Sequence, residues 1–186
     1  MNECRRCGNC CKNQSVLITF RDIREIHEYY PDLNILNIIT IFEVPRDHKY
    51  LTCINQNYPK IRIMEHNQMV QGFLGLKFVI NKEGNLICPF YNETTSLCNI
   101  HLHKPLICRV YPHRLDDSGD VVWNDAKCIE PWNFSNKLKT KEIRFELRCA
   151  KESYAIFSRE VEKWNKIYEK KNHDEFLKFI LEDKNG

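Results

Sequence analysis

The sequence predicts an α+β fold, with short strands and hairpins through its middle and one long C-terminal helix closing it. Two patterns carry this prediction. Between residues 60 and 125, short apolar runs alternate with turn sequences such as "NKEGN" and "DDSGD", the pattern of hairpins. From Ile143 onward, apolar residues recur alternately four and three apart, the stripe of one amphipathic helix. With 186 residues, 42% hydrophobic and 28% charged, the chain is long enough for a single domain with a real core.

The elements follow in order. Residues 1–13 are polar, rich in cysteine and without periodicity. "SVLITF" reads as a short strand, and "TFRDIREIHEYY" as a helix capped by Thr19, with Ile23, Ile26 and Tyr30 on one face and Pro31 ending it. "NILNIITIF" (34–42) is apolar enough for either a short helix or a buried strand, and density alone does not choose. "KIRIMEH" alternates as a strand does, "LKFVI" is β-prone, and "NKEGN" turns the chain into "LICPFY". "HRLDDSGDVVW" predicts a second hairpin. The stripe Ile143, Leu147, Ala150, Tyr154, Phe157, Val161, Trp164 and Tyr168 predicts a helix of about 30 residues, roughly 45 Å long. Such a stripe suits either a coiled-coil seam or a core-forming helix, and its aromatic content favours the core. "NHDEFLKFILE" adds a last amphipathic turn or two. One domain spanning 1–186 is expected: a cysteine-bearing region over 1–130 and a helical buttress over 136–182.

A net charge of +3, without a clustered basic face, points away from nucleic acid. No apolar stretch reaches 18 residues, so a membrane span is not expected. The N-terminus is polar, and its first apolar run begins only at Val16. A cytoplasmic location is therefore expected, where thiols stay reduced and clustered cysteines point to metal rather than to disulfides.

Ten cysteines are the outlying feature, at 4, 7, 10, 11, 53, 88, 98, 108, 128 and 149. "CRRCGNCC" spaces thiols three apart, which lets a turning backbone aim several into one concavity, while Gly8 permits positive φ and close approach. A tight run with a remote Cys-Pro, here Cys88-Pro89, also marks bacterial-type ferredoxins. Cys88, Cys98 and Cys108 lie ten residues apart, and Cys128 follows the second hairpin. Structural zinc sites usually bring ligands in as close pairs; widely separated single cysteines fit an iron–sulfur cluster better. The eight thiols suffice for two four-ligand sites, or for one site with reserve thiols. Because neighbouring side chains diverge on extended backbone, Cys10 and Cys11 are expected to serve different centres, unless one is a spectator or redox partner. Cys53 and Cys149 are expected to be spectators. His101, His103 and His113 are expected around the site rather than on the metal, and Arg109 and Arg114 as partial neutralisation of an anionic cluster or as surface pairs. No Walker A, H-E-x-x-H, G-x-S-x-G or G-x-G-x-x-G pattern occurs; "QGFLGLKF" has the wrong glycine spacing.

"CRRCGNCC", then "CPF", then "CNIHLHKPLICRVYP" together closely resemble the YkgJ-type cysteine-cluster family, CxxCxxCC, described as a zinc- or iron-chelating domain. The resemblance runs discontinuously from residue 4 to residue 128, with Lys104 where the family usually carries Arg. It implies that Cys4, Cys7, Cys10, Cys11, Cys88, Cys98, Cys108 and Cys128 are the metal ligands. Flagellin lysine-N-methylases carry a similar cluster. The leading expectation is an iron–sulfur protein, with a [4Fe–4S] cluster used in electron transfer or in support of a protein-modification enzyme, its partner a redox or modification protein. The rivals are a zinc-stabilised interaction module and a lysine N-methylase-like enzyme; whether the chain is itself an enzyme stays open.

Overall fold

A computed structural model of the protein describes residues 8–13, 15–42, 58–123, 137–167 and 172–182. The fold is α+β, with small antiparallel strand groups and a long helix near the C-terminus. The chain divides into two compact units, one formed by residues 1–16 and 78–152, the other by 17–77 and 153–186.

The second unit holds the aromatic core. Helix α2 (Phe20–Tyr29) starts where the sequence places it, because Thr19 and Asp22 form a capping box: the Thr19 hydroxyl accepts from Asp22 N–H, and the Asp22 carboxylate accepts from Thr19 N–H at 2.7 Å. The ambiguous 34–42 stretch divides into both alternatives, a 3-10 turn at Ile35–Asn37 and then strand β1 (Ile39–Phe42). Strand β2 (Ile61–Glu65) is followed by β3 (Gln68–Leu76), which pairs antiparallel with β2 through residues 68–72 and with β1 through 73–76. "QGFLG" is thus the middle of the central strand. A side chain at Gly72 would meet the Phe42 carbonyl oxygen at 2.6 Å. "SVLITF", expected as a strand, contributes only a bridge from Leu17 to Gly75 and an Ile18 N–H bond to the Leu74 carbonyl. Helix α4 (Lys137–Lys166) is a 30-residue helix, as the stripe predicts, and its Tyr168 end lies outside the described residues. Phe157 of α4 and Phe176 of α5 (His173–Glu182) stand edge-on to Phe20 at 4.9 and 5.6 Å.

Apart from residues 137–152 of α4, the first unit is built from short pieces. Helix α1 spans only Asn9–Asn13. Three two-stranded hairpins follow: β4 (Val79–Ile80) with β5 (Leu86–Ile87), β6 (Tyr91–Asn92) with β7 (Leu97–Cys98), and β8 (His113–Leu115) with β9 (Val121–Trp123). The first and last close over the two turns read from sequence. Asn81 Oδ1 caps the "NKEGN" turn by accepting from Glu83 and Asn85 N–H, and Asp116 Oδ1 does the same for Ser118 and Asp120. Between β7 and β8 lie a 3-10 turn (His101–His103) and helix α3 (Leu106–Val110).

Candidate metal centre

Five of the eight sequence-predicted ligands lie among the described residues, and all five belong to the first unit. Cys10 and Cys11 ride on α1. Gly8 opens this helix with φ +74°, as the sequence suggests, and accepts from Lys12 N–H at 3.0 Å. The close approach it allows is to the Tyr91 ring: a Cβ at Gly8 would stand 2.5 Å from the Tyr91 hydroxyl oxygen. Cys88, 7% exposed, directly follows β5 and donates its N–H to the Cys11 carbonyl at 2.7 Å. Cys98 ends β7, paired with Tyr91. Cys108 lies on α3, where Pro105, at the helix start, accepts its N–H at 2.8 Å.

The thiols share one electrostatic neighbourhood. Cys10 is drawn down to about 7, first by the hydrogen bond from Cys11 and with help from the Lys104 ammonium. Cys11 is pushed up in turn, by donating to Cys10, by burial, and by the fields of Cys10, Cys88 and Cys108. Burial pushes Cys88 up to about 12, with Cys98 and Cys10 adding to it. Burial likewise raises Cys108, reinforced by Cys88, Cys10 and Cys98 and opposed by Lys104. Each thiolate therefore disfavours the next, which is what a cation bound among them would reverse. Among the described residues, no three of His, Cys, Asp and Glu already stand at metal-holding spacing. Cys4, Cys7 and Cys128 lie outside the described residues, as does Cys53.

The vicinal pair behaves differently from the extended-backbone expectation. Residues 10 and 11 are helical and their Sγ atoms are 4.0 Å apart; Cys11 sits in the fields of Cys88 and Cys108, and Cys10 acts on both of those thiols. Among the described residues the cation acting on Cys10 and Cys108 is Lys104, which the sequence singled out only as standing where the family usually carries Arg. Arg109 Nε donates to the Lys104 carbonyl at 2.8 Å, and Arg114 is exposed and acts on Asp116. His113 is buried, its Nδ1–H donating to the Val110 carbonyl at 3.1 Å and its ring edge-on to Trp123. His101 and His103 are half-buried on the 3-10 turn, and Cys149 is half-buried on α4.

A family model described as "CxxCxxCC: Putative zinc- or iron-chelating domain" matches residues 3–129, more than half of the chain. The chain belongs to that family. The CxxCxxCC match takes in all eight candidate ligands and the whole of the three hairpins. Neither a curated protein nor a solved structure matches the chain. An all-thiol donor set suits the soft metals of such a domain, zinc or iron. In this CxxCxxCC chain the chemistry of the described thiols suits such a centre, and α1, the Cys88 segment, β7 and α3 are the segments that would hold it. No helix among the described residues is long and apolar enough to cross a membrane.

Proposed function

We propose that the cysteine cluster holds an iron–sulfur centre, a [4Fe–4S] cluster, and that the protein transfers electrons or serves a protein-modification enzyme through it. One observation carries this reading: thiols from four separate segments, Cys10 and Cys11, Cys88, Cys98 and Cys108, lie in one another's fields. Converging single cysteines suit a bridged cluster better than the close ligand pairs of a zinc knuckle. When bound, the cluster would supply one-electron chemistry, and Lys104 would offset part of its negative charge.

Anaerobic purification with iron, zinc and acid-labile sulfide counted per chain, alongside a visible spectrum, tests the reading. About four irons and four sulfides with reducible visible absorption are expected for one cubane, and about eight of each for two. Zinc without sulfide would overturn the iron–sulfur reading and leave a zinc-stapled module whose function lies in what it binds.

A further inference from the structure

We infer that Tyr91 is the positioning residue of the metal centre, the side chain and strand position that hold three thiol-bearing segments in register. Four contacts meet at it. Its ring lies against Gly8, so closely that a Cβ there would stand 2.5–2.8 Å from the hydroxyl oxygen and two ring carbons. The Lys12 ammonium sits over the same ring, 5.3 Å from its centroid. Gly8 and Lys12 bracket Cys10 and Cys11, so the ring grips the short helix from both ends of its thiol pair. Through its backbone, Tyr91 N–H donates to the Cys88 carbonyl at 3.0 Å, and in the β6–β7 hairpin Tyr91 stands opposite Cys98.

The need for such a residue follows from the lengths of the pieces. A five-residue helix and two-residue strands cannot hold their own geometry in water. Each thiol must nevertheless return to the same place for a metal to be kept. Tyr91 is 7% exposed, so its ring loses little freedom that it had not already lost. Groups that orient ligands without touching the metal commonly change metal affinity about 10- to 100-fold when removed.

The inference rests on the thiols binding metal and is indifferent to which metal they bind. The test is therefore the rate at which a chelator removes the metal that the protein carries, with far-UV circular dichroism as the fold control. Tyr91→Leu is expected to release metal about 10- to 100-fold faster with its helix signal intact, and Tyr91→Phe, which keeps the ring, to stay near the parent rate. A parent-like rate in Tyr91→Leu would overturn the inference, as would equal acceleration in both variants. Where Tyr91→Leu does not fold, Gly8→Ala is compared with Gly84→Ala. Both glycines have positive φ, +74° and +81°, so both substitutions strain the backbone alike, but nothing lies within 4 Å of a Cβ at Gly84. Faster release from Gly8→Ala alone supports the ring contact, and equal release sinks it. Zinc in place of iron and sulfide would refute the proposed cluster while leaving this comparison fully readable.

Discussion

Cys108 lies in the fields of Cys88, Cys10 and Cys98, whereas Cys149 is half-buried on the long helix α4. Cys108→Ser should therefore strip the protein of metal retention, at least about 10-fold in chelator resistance, whereas Cys149→Ser should bind the parent amount, as read by metal counted per chain. His113 sets a pH dependence. Burial lowers its pKa while its Nδ1–H bond to Val110 opposes the shift, and the first effect is the larger. The folded state thus binds this proton less readily than the unfolded chain does. The stability it contributes is present above the unfolded value of about 6.5 and is lost as pH falls from there towards the lower folded value. His113→Gln should flatten that limb of a stability–pH curve measured by urea unfolding. Glu160, 4% exposed, meets Arg24 at 2.7 Å, and Arg24 also donates to the Ile180 carbonyl at 2.7 Å. Glu160→Gln should cost about 2 kcal/mol in a denaturant titration, less than the ~3–5 kcal/mol of a fully buried pair because Arg24 reaches water.

Helix α2 shows which elements a sequence can announce. Thr19 and Asp22 are three residues apart and cap the helix by local chemistry alone, so Thr19→Ala should lose about 1 kcal/mol of stability, measurable as a shift in the urea midpoint. The two Asx-capped turns and the α4 stripe were legible for the same reason: each signal lies within a few residues of its effect. Strand β3 was not read from the sequence, although it is the longest strand among those described. It enters from β2 through His66 and Asn67, both at positive φ, a tight turn without the usual glycine. Asn67, tolerant of that conformation, was the available clue. Helices α1 and α3, five residues each, are too short to show a period. The expected strand at residues 15–20 became an isolated bridge, because its backbone meets β3 only at Leu17 and Ile18.

At the scale of the molecule, the two units are nearly equal in length but not in core. Of the twelve largest fully buried side chains among the described residues, only Ile100 and Leu106 belong to the cysteine unit; the rest, including Phe20, Phe157 and Phe176, belong to the other. The cysteine unit thus holds fewer of the large buried side chains described, and the proposed metal–thiolate bonds would add to its stability. Chelation should therefore melt the cysteine unit and spare the aromatic one. Single-tryptophan variants report each separately, Trp123 in the first and Trp164 in the second. Loss of the Trp123 signal with an unchanged Trp164 transition is the expected outcome; two intact transitions in metal-free protein would show that the metal does not support the fold.

The sequence by itself determined the α+β class, the caps and turns, the long helix and the family, because these depend on residue chemistry repeated or paired over short spans. It also named the candidate thiols, since cysteine is rare enough for spacing to speak. Only the tertiary structure decided which of them meet: that Cys10 and Cys11 share a helical turn, that Cys88 is tied to Cys11 through its backbone, and that Tyr91 and Lys104 stand at the cluster. Contacts between residues some eighty positions apart are set by how the short pieces pack, and nothing in a local run of amino acids encodes that distance.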